Sequence, residues 1–207
     1  MLRDEWAGHF HSGRSGGRRP EGLKCWRVTS ERAEVVECLR EAFGGEIREC
    51  RTGDSFTLDL LTCAERVNVI LTDEGSIRTE MVMWGPSGIR HHCDGVRFLS
   101  PDEKRGTRCG CPAGMADRRN RAMAGRGPQV SAEISFRVAR FPDLGEFRFR
   151  SSSWRLMEAA NSVRARFPVE GSEIICDLAL EPAAFALHSG LTVIAVAPSI
   201  KVPVPDG

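Results

Sequence analysis

The spacing of apolar residues changes period along this chain, and the changes divide it into segments. From about residue 30 to Phe43, Val35, Leu39, Ala42 and Phe43 recur at helical spacing, with Thr29 or Ser30 as cap and Gly44-Gly45 as stop. A short strand at 25–29 precedes this helix. Between 46 and 84 the period drops to two. Phe56-Leu58-Leu60, Val67-Val69-Leu71 and Ile77-Thr79-Met81-Met83 alternate with mostly polar neighbours, as half-buried strands do, and Thr72-Asp73-Glu74-Gly75 supplies a turn. Alternation returns at 130 with Ala132, Ile134, Phe136 and Val138. After a turn at Pro142-Asp143-Leu144-Gly145 it resumes in Phe147 and Phe149, set between Arg148 and Arg150. Ser151-Ser152-Ser153 offers caps to a second helix, with Leu156, Ala160, Val163 and Phe167 on one face and Pro168 beyond its end. Strands at about 173–181 and 191–201 complete the pattern.

Two stretches fall outside it. Residues 1–24 mix Gly, Arg and Ser and are expected to form a mobile N-terminal arm. Residues 85–128 are rich in Gly, Pro and Arg, with a short helix expected over about 113–124. The chain therefore reads as α+β: two helices packed on antiparallel β-sheet in a single domain, 25–207, with a zinc-stapled loop insertion at about 85–128.

Charge narrows the function classes. Lys and Arg number 29 against 28 Asp and Glu, a net +1, so only a local cluster could serve a nucleic acid. One exists: residues 102–126 carry seven basic side chains against three acidic, and Arg118, Arg119 and Arg121 in it are candidate contacts for a partner or a nucleic acid. Phe147 and Phe149 could stack on bases, but a core-facing strand explains them better. No apolar run reaches the ~18 residues of a membrane helix. The start, Met1-Leu2-Arg3-Asp4-Glu5-Trp6, does not read as a signal peptide. A cytoplasmic protein is expected, and its eight cysteines are not expected to form a disulfide framework.

Cys38 and Cys176 read as small core residues, and Cys25, Cys50 and Cys63 as inert thiols. Cys93, Cys109 and Cys111 remain, with His91 and His92 beside the first. Thiolate and imidazole are the ligands tetrahedral zinc prefers. Gly110 leaves room for two thiolates to turn onto one ion, and Pro112 stiffens the exit. The fourth ligand is His91 or His92; on an extended backbone His91 shares a face with Cys93, whereas a turn would present His92. Structural zinc, unligated thiols in a compact loop and a catalytic ion all remain open. Four protein ligands would fill the shell and leave no place for an activated water.

Catalytic signatures are otherwise missing. The sequence holds no Walker A loop, GxGxxG, HExxH or GxSxG, and its CxC departs from the zinc-deaminase pattern. His92 adjoins Cys93, but sequence neighbours point apart, and Asp94 would oppose a thiolate. No enzymatic activity is expected.

Several motifs occur in a telling order: Trp26-Arg27-Val28-Thr29, Met83-Trp84-Gly85, His91-His92-Cys93-Asp94-Gly95-Val96, Leu99-Ser100-Pro101-Asp102-Glu103-Lys104-Arg105-Gly106, Cys109-Gly110-Cys111-Pro112, Gly125-Arg126-Gly127-Pro128, Phe147-Arg148-Phe149 before Ser153-Trp154, and Cys176-Asp177-Leu178-Ala179-Leu180. From about 14 to 202 the chain resembles the recombination directionality factor-like proteins of actinobacteria and their phages. The resemblance implies a partner of a large serine integrase, met on its DNA complex, that redirects the integrase from integration to excision by attL × attR recombination. Direct DNA contact would then be weak and membrane contact absent. The insertion at 96–126 is the first expected interface and the arm at 14–24 the second. The alternative is a zinc-stapled nucleic-acid-binding module without catalytic activity.

Overall fold

A computed structural model describes residues 6–14, 21–52, 55–167, 171–186 and 191–203. Alternating apolar positions impose strands through most of it, and twelve strands join in one sheet. In chain order they are β1 (Gly8–Arg14), β2 (Glu21–Ser30), β3 (Glu46–Thr52), β4 (Ser55–Leu61), β5 (Arg66–Leu71), β6 (Ile77–Gly85), β7 (Gly88–Cys93), β8 (Phe98–Ser100), β9 (Gln129–Val138), β10 (Glu146–Ser151), β11 (Ile174–Ala186) and β12 (Thr192–Lys201). The main path runs β12-β11-β5-β9-β10-β1-β2-β4-β3. A branch, β9-β6-β7-β8, leaves β9 along the edge that β5 also uses, opposite β10, and carries the Gly- and Pro-rich segment.

Two expectations change here. Part of the N-terminal stretch is not an arm: β1 lies between β2 and β10, with Ala7, Gly8 and Phe10 buried. Its Gly- and His-rich sequence hides the alternation, because Gly8 contributes no side chain to the pattern. Residues 1–5 and 15–20 fall outside the described part. The sheet is also not wholly antiparallel, since β1 runs parallel to β10 while pairing antiparallel with β2.

The core lies on one face of the sheet. Trp26, Phe10, Phe136, Phe147 and Phe149 meet at its centre, edge to face except for the stacked Phe136–Phe147 pair; the Trp26 and Phe149 rings are 5.0 Å apart at 85°. Phe147 and Phe149 are fully buried, as their alternation with arginines implies. The reverse face is polar. Arg27 holds Asp59 at 2.8 and 2.9 Å, and Arg148 and Arg150 both reach Glu133.

Three α-helices occur among the described residues: α1 (Ala33–Phe43), α2 (Met115–Met123) and α3 (Trp154–Arg164). Helix α1 turns Val35, Val36 and Leu39 into the core, against β2, β3 and β4. It begins later than the expected cap. Ser30 ends β2 instead, its hydroxyl donating to the Ala7 carbonyl at 2.6 Å, and Arg32 takes the N-cap position. Helix α3 buries Leu156, Met157, Ala160 and Val163, lies against β12, β6 and β9, and is capped by Ser153, whose Oγ accepts from the Leu156 N–H at 3.3 Å. Pro168 lies outside the described residues. Helix α2 is the short helix expected near 113–124.

Candidate metal centre

The segment expected as a loop contains two strands, and these place the ligands. Strands β6 and β7 form a hairpin through Gly85-Pro86-Ser87-Gly88, with Met83 opposite His91 and Met81 opposite Cys93. Cross-strand partners share a face, so His91 and Cys93 point to the side where Met81 is buried. His92 points the other way. Its Nε2 lies 2.9 Å from Glu80 Oε2 and its Nδ1 3.0 Å from Ser100 Oγ. His91, the extended-strand choice, is the histidine brought to the cysteines, and His92 is not.

Two turns return the chain to this face. After Cys93, Asp94 Oδ1 accepts from the Val96 and Arg97 N–H groups, both at 2.7 Å, which closes an Asx turn around Gly95. Residues 96–108 then double back, with Phe98 N–H donating to the Thr107 carbonyl and Cys109 N–H to that of Val96, both at 2.9 Å. Gly110 has φ of +73°, the left-handed conformation that turns Cys109 and Cys111 toward one point.

The outcome is a compact donor set. One ligand atom from each of His91, Cys93, Cys109 and Cys111 lies within 4.8 Å of all the others. Tetrahedral zinc, with bonds of about 2.3 Å to sulfur and about 2.0 Å to nitrogen, requires S–S edges of about 3.8 Å and S–N edges of about 3.5 Å. Cys93 Sγ and Cys111 Sγ are 3.8 Å apart, and His91 Nε2 is 3.5 Å from Cys111 Sγ and 3.1 Å from Cys93 Sγ. The residues fit the ion. Cys93 is fully buried and Cys109 nearly so. Burial pushes the Cys93 and Cys111 thiols up and His91 down, so a cation is what would make thiolates favourable here, with a neutral imidazole beside them. The His91 ring packs on Phe98 at 4.8 Å, and Gly95 N–H donates to Cys93 Sγ at 3.3 Å.

Arg118 has a part that its sequence context concealed. It rises from α2 and donates Nη2 to the Gly95 carbonyl at 2.7 Å and Nε to the Pro112 carbonyl. It thereby ties the Cys93 turn to the Cys109–Cys111 turn. This side chain is committed inside the protein, unlike Arg119 and Arg121, which are exposed. Only a placement of α2 across both turns reveals the clamp; the sequence shows one arginine among several. Cys25, Cys38, Cys50, Cys63 and Cys176 are free thiols outside the cluster.

No helix among the described residues is long and apolar enough to cross a membrane. A family model described as Gp3-like, recombination directionality factor-like, matches residues 7–183. No solved structure matches the chain.

Proposed function

Because the chain belongs to the Gp3-like, recombination directionality factor-like family, we propose that it binds a phage-type large serine integrase and switches it from integration to excision. The family match over residues 7–183 carries this reading. The protein then works in the bacterial cytoplasm, encoded by a phage or prophage, and performs no chemistry itself.

The metal centre supports an adaptor rather than an enzyme. His91, Cys93, Cys109 and Cys111 would hold structural Zn2+, and four protein donors complete a tetrahedron. The bound ion would supply a fixed crosslink between the Cys93 turn and the Cys109–Cys111 turn. Arg118, Gly95 and Phe98 orient the donors around it.

Switching direction is a population shift. The factor must bind the excision-competent arrangement of integrase more tightly than the alternative, and a full reversal takes about 5.5 kcal/mol of differential affinity. One standard protein interface can supply that much.

The test mixes a large serine integrase from the same phage or prophage with attL and attR DNA, with and without the protein. Excision that rises only with the protein, together with a complex on gel filtration, is expected. Neither gain nor complex would reject the proposal. The alternative, a zinc-stapled nucleic-acid-binding module, draws on the exposed Arg119 and Arg121. It requires binding to DNA or RNA alone, falling steeply with salt. The burial of Phe147 and Phe149 removes the stacking platform such a module would use.

A further inference from the structure

Three hollows that share lining residues lie beside the metal centre and are taken together as one trough. Next to the ligands is a hollow of about 180 Å³, walled in part by Arg118, Arg121 and Arg126. Met83 and Gly127 line both it and a neighbouring hollow of about 520 Å³, whose walls include Val82, Trp84, Ala122 and Val130. Ser152 joins the second hollow to a third, of about 450 Å³, which carries Arg119 and Arg155. The trough therefore has an apolar middle and arginines at both ends.

Trp84 lines the middle hollow and is 71% exposed. Its cross-strand partner Ile89 is 49% exposed, and Met123, in the last turn of α2, is 52% exposed. A tryptophan left this open loses the burial that its ring could gain, whereas Trp and Arg are the side chains that dominate protein–protein contacts. The ion pairs among the described residues use none of Arg119, Arg121 and Arg126. Glu158 is the acid among the residues lining the three hollows, and Glu80 pairs with the lining Ser131 but faces His92; against Arg118, Arg119, Arg121, Arg126 and Arg155 they leave the trough with a positive excess.

We infer that this trough is the integrase-docking surface, and that it takes a protein segment with an apolar or aromatic side chain flanked by acidic residues. The inference rests on the proposed partnership and adds its location and chemistry. A nucleic acid fits less well: a phosphate backbone offers nothing apolar to Val82, Met83 and Trp84, and Arg118 already serves two carbonyls. The acidic flanks pair with Arg121 and Arg126 at one end and Arg119 at the other, while the anchor covers Trp84.

The test measures binding of the same integrase by biolayer interferometry. It compares the wild-type protein, Trp84→Ala, the double variant Arg121→Glu/Arg126→Glu, and a control, Ile175→Ala, exposed on β11 outside the trough. All altered side chains are exposed, so zinc content and melting should match wild type. Trp84→Ala and the charge reversal should each weaken binding by about 30-fold or more, as hot-spot changes do, and the control by less than about 2-fold. Wild-type binding that both trough variants retain overturns the docking surface and leaves the adaptor reading standing. No binding by wild type overturns both. A duplex carrying attL that binds the protein alone, and is lost by the same variants, replaces the protein segment with DNA.

Discussion

Removing the metal should open one region and spare the rest. The ion would close a loop of about 16 residues between Cys93 and Cys109. By the chain-entropy account of a crosslink, closing a loop of that size contributes about 3 kcal/mol at 25 °C. That is a floor, since structural zinc in small peptides contributes about 10–16 kcal/mol. At about 1.4 kcal/mol per tenfold, the floor alone makes opening of the segment at least ~100-fold more frequent in chelator. Without the ion the segment keeps the Asx turn at Asp94, the Phe98–Thr107 and Cys109–Val96 backbone bonds and the Arg118 clamp, all short-range ties near exposed residues such as Val96, 61% exposed. The aromatic core around Trp26 and Phe149 lies elsewhere in the sheet and should stay closed. Hydrogen exchange read by mass spectrometry, with and without a strong zinc chelator, distinguishes the two regions. The amides of Gly95, Phe98 and Cys109 should lose protection while those of β9 and β10 keep theirs. Metal analysis should give about one zinc per chain for a single four-donor site. Zinc well below that level, with unchanged exchange at Phe98 and Cys109, would refute the reasoning.

Further substitutions follow from the same geometry. His91→Ala should lower zinc affinity by 10-fold or more, whereas His92→Ala, on the other face, should leave stoichiometry at the wild-type value; competition with a chromogenic chelator reads both, with the order of magnitude typical of losing support at a site. Gly95→Ala should cost about 1–3 kcal/mol in urea melts, because Gly95 has φ of +95° and an added Cβ would stand 2.2 Å from Arg118 Nη1. Phe149→Ala, in the fully buried aromatic cluster, should cost about 3–5 kcal/mol by the same measurement. Acidification should weaken the protein through His11: burial, then Arg27 and His9, depress it from 6.5 to about 4. Unfolded chains take up that proton below pH 6.5 and the folded protein only near 4, so stability falls across that window. The loss at pH 5 is about 2 kcal/mol before screening and about 1 after it, and His11→Gln should flatten the decline between pH 7 and 5.

The amino-acid order settled what depends on neighbours along the chain. Period-two alternation marked β4, β5, β6, β9 and β10, and helical spacing marked α1 and α3, because one-sided burial imposes those periods on any chain. It also paired Cys109 with Cys111 across Gly110, and it favoured His91 over His92, since two residues along a strand share a face. Tertiary structure decided the rest. β1 became a strand because β2 and β10 left a gap for it, an arrangement invisible in its own Gly- and His-rich sequence. Arg118 became a clamp because α2 crosses two turns about 20 residues apart in sequence, and periodicity carries no information over such a separation. The placement of Trp84 between two arginine-bearing hollows has the same origin: it depends on where β6 leaves β9 and where α2 comes to rest.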